Sequence, residues 1–312
     1  MPIDPQIQAL LDLGTGVPAT NTLSVPEARA QYEGRIRLMA PAPDVGAIAE
    51  RTIAGPGGEL RLRIYRPTGP GPFPLLAFFH GSGFVLCSLD THDGMCRHLC
   101  ASAECVVVSV DYRLAPEHKY PAGLDDCVFA TKWIAEHAVE LEGDAARLVV
   151  GGDSAGGNLA AAVALRIRDA GGPRVIGQLL IYPVTDYHTP GTPSYRDNAD
   201  GYGLTRDTMV WFWDHYLTDP AEAADPYVSP LRARDFSGLP PAIVMIAEYD
   251  PLRDEGDYYA EKLRAAGTPA ITSRWDGMNH GFLFWVGRVD KADEAMAESC
   301  QWLRRIFGEA RE

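Results

Sequence analysis

One serine set among glycines, in Gly151-Gly152-Asp153-Ser154-Ala155-Gly156-Gly157-Asn158, marks where this chain could do chemistry. The apolar run Leu148-Val149-Val150 leads into it, and the helix-forming run 159–165 leads out. A serine hydroxyl is a weak nucleophile until a base takes its proton, and a tight strand-to-helix turn presents it at the end of a sheet where a base can reach it. Side chains at 152 and 156 would collide with neighbouring backbone in such a turn, which accounts for glycine on both sides of the serine. The helix after it opens with Ala155, Gly156 and Gly157, so its first amides point at whatever Ser154 attacks and stabilise negative charge there. Gly-x-Ser-x-Gly also arises by chance in a chain with 31 glycines. The strand before and the helix after set this instance apart.

A serine nucleophile needs a base, and the base needs a third group to hold its working tautomer. Of eight histidines, only His280 follows the last expected strand, in Asp276-Gly277-Met278-Asn279-His280-Gly281-Phe282, where flanking glycines allow a tight loop. For the acid, Asp250 follows the buried run Ile243 to Ala247 and is expected at the same strand-end rim. Asp254 is its rival, although an acid in the first turn of the next helix is explained by the helix dipole alone. Glu248, still within the strand end, is a weaker one. Asp153 adjoins the nucleophile but is expected to point away from the hydroxyl, and both it and Glu117 are read as structural.

The loop His80-Gly81-Ser82-Gly83-Phe84, just after the run Leu75 to Phe79, supplies a fourth element. Two backbone N–H groups of a loop this small, together with that of Ala155, can hold a carbonyl oxygen as it becomes negative. Each such donor typically contributes about 3 kcal/mol of transition-state stabilisation.

These residues must be positioned by a sheet. Leu60 to Tyr65 alternates apolar and polar residues as a half-buried strand does, after a Gly55-Pro56-Gly57-Gly58 turn. The runs 75–79, 106–110, 148–150, 179–182, 243–247 and 270–272 are continuous, short and bounded by turn residues, as expected of central strands buried on both faces. Helical spacing over 125–137, 158–170, 255–266 and 292–307 separates most of them, with Gly171 and Gly267 as stops. Strand and helix in alternation predict an α/β fold with a mostly parallel sheet covered on both faces. Two stretches stand outside the alternation: residues 1–48, and 185–234 with its many aromatic residues and prolines. Both are too long for loops, the first helix-like with apolar patches and the second too aromatic for a linker, so they are read as a helical cap over the strand ends. The catalytic body is then 49–184 with 235–312. Phe212, Trp213 and Leu283 are the candidate substrate-lining residues.

Composition bounds the rest. With 42 Asp plus Glu against 28 Lys plus Arg, a net charge of -14 argues against nucleic acid or an anionic membrane surface as a partner. No run approaches the roughly 20 apolar residues that span a bilayer, and the start of the chain lacks the pattern of a secretion signal, so a cytoplasmic setting is expected. Cys96, Cys100 and Cys105 lack the paired spacing of a metal site and are read as buried apolar residues, with no metal or cofactor expected.

Taken together, the motifs resemble the hormone-sensitive-lipase-like (bacterial family IV) carboxylesterases of the α/β-hydrolase superfamily, over roughly Leu75 to Phe282. The blocks that carry the likeness are Asp111-Tyr112-Arg113-Leu114-Ala115-Pro116-Glu117, Gly152 to Gly157, Asp250-Pro251-Leu252-Arg253-Asp254 and His280-Gly281-Phe282. The resemblance implies an eight-stranded α/β-hydrolase sheet and a triad of Ser154, Asp250 and His280. It implies an oxyanion hole from Ser82, Gly83 and Ala155, and a carboxylic ester hydrolase acting on short- to medium-chain acyl esters through an acyl-enzyme. The expected partner is a small-molecule ester; monomer or homodimer is left open. Ser82 departs from the family's usual His-Gly-Gly-Gly, and activity is expected to survive the change. Two rival functions use the same scaffold: a serine peptidase or amidase, and a non-catalytic ligand-binding protein, for which retention of both Ser154 and His280 is unexpected.

Overall fold

A computed structural model describes residues 2–310; Met1 and residues 311–312, at the outer limits of the two terminal segments, lie outside it. Among the described residues the chain builds one eight-stranded sheet in the order β1-β2-β4-β3-β5-β6-β7-β8. The strands are β1 (Ala47–Gly55), β2 (Gly58–Arg66), β3 (Phe73–Phe79), β4 (Val106–Val110), β5 (Gly143–Asp153), β6 (Val175–Ile181), β7 (Ala242–Tyr249) and β8 (Ala270–Asn279). β1 and β2 form the hairpin that the glycine-rich turn predicts, and β2 runs antiparallel to β4. Every later pairing is parallel. The fold is thus the mostly parallel sheet that the alternation predicts, in the eight-stranded α/β-hydrolase arrangement that the resemblance implies.

The helices are α1 (Pro5–Leu13), α2 (Val25–Glu33), α3 (Asp93–Ala103), α4 (Ala122–Glu136), α5 (Ala155–Ala170), α6 (Pro193–Asp197), α7 (Arg206–Tyr216), α8 (Arg253–Ala265) and α9 (Asp290–Glu309). Residues from α4, α5 and α8 enclose one face of the sheet and those from α3 and α9 the other. β3, β4 and the end of β5 are therefore buried on both sides, which explains their unbroken apolar runs. Gly171 ends α5 in the left-handed conformation, and Gly267 follows the last turn of α8 in the same conformation.

One strand departs from expectation. Residues 270–272 are read from sequence as a central strand, yet β8 is the sheet's edge and Ile271 is 39% exposed. A three-residue apolar run carries no periodicity long enough to separate an edge from a centre. β8 also extends to Asn279, which brings residue 280 to the same rim as the ends of β3, β5 and β7.

Residues outside the sheet pack in two places. Ile7 of α1 joins the cluster beneath α9, and the Asp4 N–H donates to the Gly277 carbonyl at 3.0 Å. Ala28 of α2, Tyr195 of α6 and Met209, Phe212 and Trp213 of α7 join the opposite cluster. Arg29 of α2 donates to the carbonyls of Val85 and Ala115 and pairs with Glu117 at 2.7 Å. That guanidinium holds the Glu117 carboxyl down at about 2, so the residue ties α2 to the body, as its structural reading expects.

The tightest packing lies where α5 meets β3. A Cβ on Gly156 would sit 1.8 Å from the Phe79 carbonyl oxygen. Gly156→Ala is expected to cost more than about 3 kcal/mol or to prevent folding, because backbone must move. Gly171→Ala, left-handed but in open space, is expected to cost about 1 kcal/mol. Urea unfolding of the two variants side by side checks the contrast.

Candidate active site

Five strand ends, those of β3, β5, β6, β7 and β8, converge on the site. β5 ends at Asp153 and α5 starts at Ala155, leaving Ser154 alone between them at φ 55° and ψ −118°. Hydrogen bonds hold that strained backbone on both sides: the Ser154 N–H donates to the Ile181 carbonyl at 2.8 Å, and the Ser154 carbonyl accepts from the Val184 N–H at 3.1 Å. The end of β6 therefore clasps the turn. Ser154 is 6% exposed, enough to leave its hydroxyl at the surface of a buried rim.

His280 lies immediately after β8, with Nε2 at 2.9 Å from Ser154 Oγ and Nδ1 at 2.7 Å from Asp250 Oδ2. Asp250 is fully buried just past β7, and its Oδ1 accepts the Leu252 N–H at 2.8 Å. Asn198, after α6, donates to the carbonyls of Asp250 and Glu248 and so fixes the turn that carries the acid. Tyr182 packs its ring 4.7 Å from that of His280. Three side chains from distant segments thus form one line of contact: carboxylate, imidazole, hydroxyl. Such a line lets the hydroxyl lose its proton to Nε2 while the carboxylate keeps the other ring nitrogen protonated and stabilises the imidazolium.

The rival acids are engaged elsewhere. Asp254 accepts the Ser194 N–H at 2.8 Å and the Arg253 Nε–H at 2.8 Å, while Glu248 accepts the Gly277 N–H at 2.7 Å.

The loop after β3 takes a run of left-handed backbone: Ser82 at φ 80°, Gly83 at 65° and Phe84 at 65°. Ser82 therefore sits where glycine would be easier, at a cost on the order of 1 kcal/mol. Its Oγ accepts from the Cys87 thiol at 2.8 Å, an anchor that glycine could not offer. Among the described residues, the N–H groups of Ser82 and Gly83 donate to no protein acceptor. The Ala155 N–H is the first of α5 and likewise has no intrahelical acceptor. His80 anchors the start of the loop, its ring stacked 4.5 Å from Tyr112, whose hydroxyl donates to the His80 carbonyl. Burial pushes His80 down to about 3, with His92 adding to the effect, so its ring stays neutral.

The three candidate lining residues fall in different places. Phe212 lies directly on the loop: a Cβ on Gly83 would meet its ring at 2.1 Å. Trp213 packs among Phe84, Tyr187 and Tyr216. Leu283 joins the cluster on the α3 and α9 face with Phe282 and Tyr182. Cys96, Cys100 and Cys105 are buried, and burial pushes the Cys100 thiol up to about 12 and the other two higher still. Among the described residues no group of His, Cys, Asp and Glu is arranged to hold a metal ion, and no helix is long and apolar enough to cross a membrane.

Sequence reasoning missed Tyr182, Asn198, Cys87 and His92, because each acts by a contact made between distant segments. It also gave no reason for Glu255. That carboxyl is fully buried, with Oε1 accepting the N–H groups of Thr185 at 2.7 Å and Asp186 at 3.3 Å. Burial pushes it well above the ordinary carboxylate range against those two donors. The folded state thus binds this proton more tightly than the unfolded chain, so its contribution declines as pH rises from about 4.5 through the folded pKa. Glu255→Gln keeps the acceptor and removes the ionisation; urea midpoints taken from pH 4.5 to 8 are expected to fall less steeply with pH than in the parent chain.

Comparison with known proteins shows the family to which this fold belongs. Residues 76–284 match the sequence profile of the alpha/beta hydrolase fold. The chain is 43% identical to the carboxylic ester hydrolase LipN of Mycobacterium tuberculosis, over 90% of this chain and 77% of that one. It is 41% identical to the carboxylesterase NlhH of the same organism, over 98% and 96% of the two chains. Among solved structures it is similar to a hyperthermophilic esterase from the archaeon Pyrobaculum calidifontis, with a TM-score of 0.94 at 41% identity over 98% of this chain and 99% of that one.

Proposed function

We propose that this chain, which belongs to the hormone-sensitive-lipase-like carboxylesterase family of the α/β-hydrolase fold, hydrolyses short- to medium-chain carboxylic esters through an acyl-enzyme on Ser154. The observation that carries this reading is the unbroken contact from Asp250 Oδ2 through His280 to Ser154 Oγ, at 2.7 and 2.9 Å.

In the first half-reaction the Ser154 oxygen bonds to the acyl carbon as its proton passes to His280 Nε2. The carbonyl electron pair moves onto oxygen, where the N–H groups of Ser82, Gly83 and Ala155 receive it. The electron pair then returns, the bond to the alcohol oxygen breaks, and His280 gives that oxygen its proton. Water repeats the sequence on the acyl-enzyme: His280 takes a proton from water, the new oxygen bonds to the acyl carbon, and Ser154 leaves with the proton. Asp250 orients the ring throughout and offsets its positive charge.

The acyl or alcohol group is proposed to lie beneath a cap made of residues 1–48 and 185–234. The support is the placement of α7, whose Phe212 ring rests on Gly83. The Thr208 hydroxyl donates to Asn21 Oδ1 at 3.5 Å and links the two segments. A ring fixed so near the reacting carbonyl limits acyl length.

A panel of p-nitrophenyl esters run on the parent chain and on Ser154→Ala tests both points. Rates are expected to peak at short acyl groups and to fall by at least about a thousandfold in Ser154→Ala. Rates that keep climbing beyond about ten acyl carbons contradict the closed pocket. Absence of labelling by a fluorophosphonate contradicts a competent nucleophile.

Ser82→Gly exchanges relief of left-handed strain against loss of the Cys87 anchor. The two effects oppose each other at about 1 kcal/mol each, so kcat/KM is expected within roughly fivefold of the parent. A strong rise instead shows the serine to be a handicap.

A further inference from the structure

Asp153 and His92 take no part in the proton transfers above, yet they are the two most deeply buried titratable side chains joining the nucleophile turn to the oxyanion loop. Asp153 is 1% exposed and His92 not at all. The Gly81 N–H is shared between Asp153 Oδ1 at 2.9 Å and His92 Nε2 at 3.3 Å, and these two acceptor atoms lie 3.1 Å apart. The imidazole is fixed from every side. Its Nδ1 is 2.9 Å from Thr91 Oγ1, which in turn is tied to the Ser88 backbone. Phe284 meets the ring edge-on at 4.9 Å, and the His80 ring lies 5.3 Å away. Gly81 approaches so closely that a Cβ there would fall 2.4 Å from Asp153 Oδ2 and 2.7 Å from its carbonyl.

A buried carboxylate and imidazole cost desolvation energy, and apolar packing would stabilise this region as well or better. Their position suggests what offsets that cost. Asp153 immediately precedes Ser154, and Gly81 immediately precedes Ser82, so this hydrogen bond joins the backbone that carries the hydroxyl to the backbone that carries the oxyanion donors. Burial pushes the hydroxyls of Tyr112 and Tyr182 upward, with the neighbouring Asp153 carboxylate adding to it. An unpaired anion so near a developing oxyanion would oppose the reaction. The Gly81 N–H on the same carboxylate oxygen offsets it.

We propose that Asp153 and His92 are a buried positioning pair for the oxyanion hole, holding the Gly81 N–H so that the N–H groups of Ser82 and Gly83 stay aimed at the reacting carbonyl oxygen. The proposal rests on the oxyanion reading of that loop. It assigns both residues to transition-state stabilisation, with no role in proton transfer and little in substrate affinity.

The test compares the full-length parent chain with Asp153→Ala, Asp153→Asn and His92→Phe, each checked for folding by near-ultraviolet circular dichroism. Two readouts are taken: kcat and KM on p-nitrophenyl butyrate, and the inhibition constants of an alkyl trifluoromethyl ketone and of the methyl ketone of equal length. The trifluoromethyl ketone forms a tetrahedral oxyanion with serine, so its advantage over the methyl ketone reports on the hole. In Asp153→Ala, kcat and that advantage are both expected to fall about a hundredfold, on the scale of one lost oxyanion donor, with KM changed less than about threefold. His92→Phe fills the ring's space without the ring nitrogen that meets the Gly81 N–H and is expected to lose about tenfold in both. Asp153→Asn keeps an oxygen for Gly81 and is expected to recover to within about fivefold.

A folded Asp153→Ala or His92→Phe that loses activity while keeping the full trifluoromethyl ketone advantage overturns the proposal and leaves the oxyanion reading intact. A parent chain that shows no such advantage overturns the oxyanion reading and the proposal with it. Should neither Asp153→Ala nor His92→Phe fold, the near-isosteric Asp153→Asn decides alone: recovery supports the pair as hydrogen-bond positioners, and a hundredfold loss overturns it.

Discussion

The contact between the Phe79 carbonyl and the backbone of Gly152 and Gly156 is the constraint on which the rest of the molecule depends. Only where two glycines let α5 press onto the end of β3 can the chain turn from strand to helix within the single residue Ser154. That turn brings the start of α5 and the loop after β3 to the same edge of the sheet. It also leaves Ser154 at a backbone geometry of φ 55°, which the carbonyl of Ile181 and the N–H of Val184 must hold in place. Local strain is stored at Ser154 and compensated by the strands on either side.

Around that point the structure keeps an unusual number of polar groups out of water. Asp250, Asp153, Glu255, His92 and His80 are each at most 1% exposed. Isolated, such groups would be costly, and each instead meets a specific backbone or side-chain partner: Asp250 the Leu252 N–H, Asp153 the Gly81 N–H, Glu255 the Thr185 N–H, His92 the Thr91 hydroxyl and His80 the Gly81 carbonyl. These partners lie on the turns that follow strands, so the same hydrogen bonds that make burial tolerable also set the turns' shapes. In a low-dielectric rim of this kind, preorganised donors act strongly on charge that forms during a reaction.

The left-handed stretch from Ser82 to Phe84 shows how much latitude such a site allows. A serine in place of glycine brings backbone strain, and the Cys87 thiol supplies a compensating contact. The nearby Phe212 ring closes over Gly83, so the loop is held from the helical segment as well as from the sheet. The loop, α7 and the turn at Ser154 are therefore coupled through packing as well as hydrogen bonds.

Much of the architecture was legible from residue order because it rests on local patterns. Unbroken apolar runs mark strands covered on both faces, helical spacing marks the covers, and the glycines around Ser154 mark a turn too tight for side chains. Position after a strand was enough to nominate Asp250 and His280, since parallel strands deliver all such residues to one rim. What the chain order does not encode is which distant groups touch. The edge position of β8, the packing of Tyr182 on His280, the split between Phe212 on the loop and Leu283 on the far face, and the approach of His92 to Asp153 across sixty residues all follow from how layers stack. Residue types and spacing determined the elements and the candidate chemistry, because propensity and periodicity act over a few neighbours. Tertiary packing alone decided the contacts, because a distance between segments is a property of the assembled core and of no single stretch of chain.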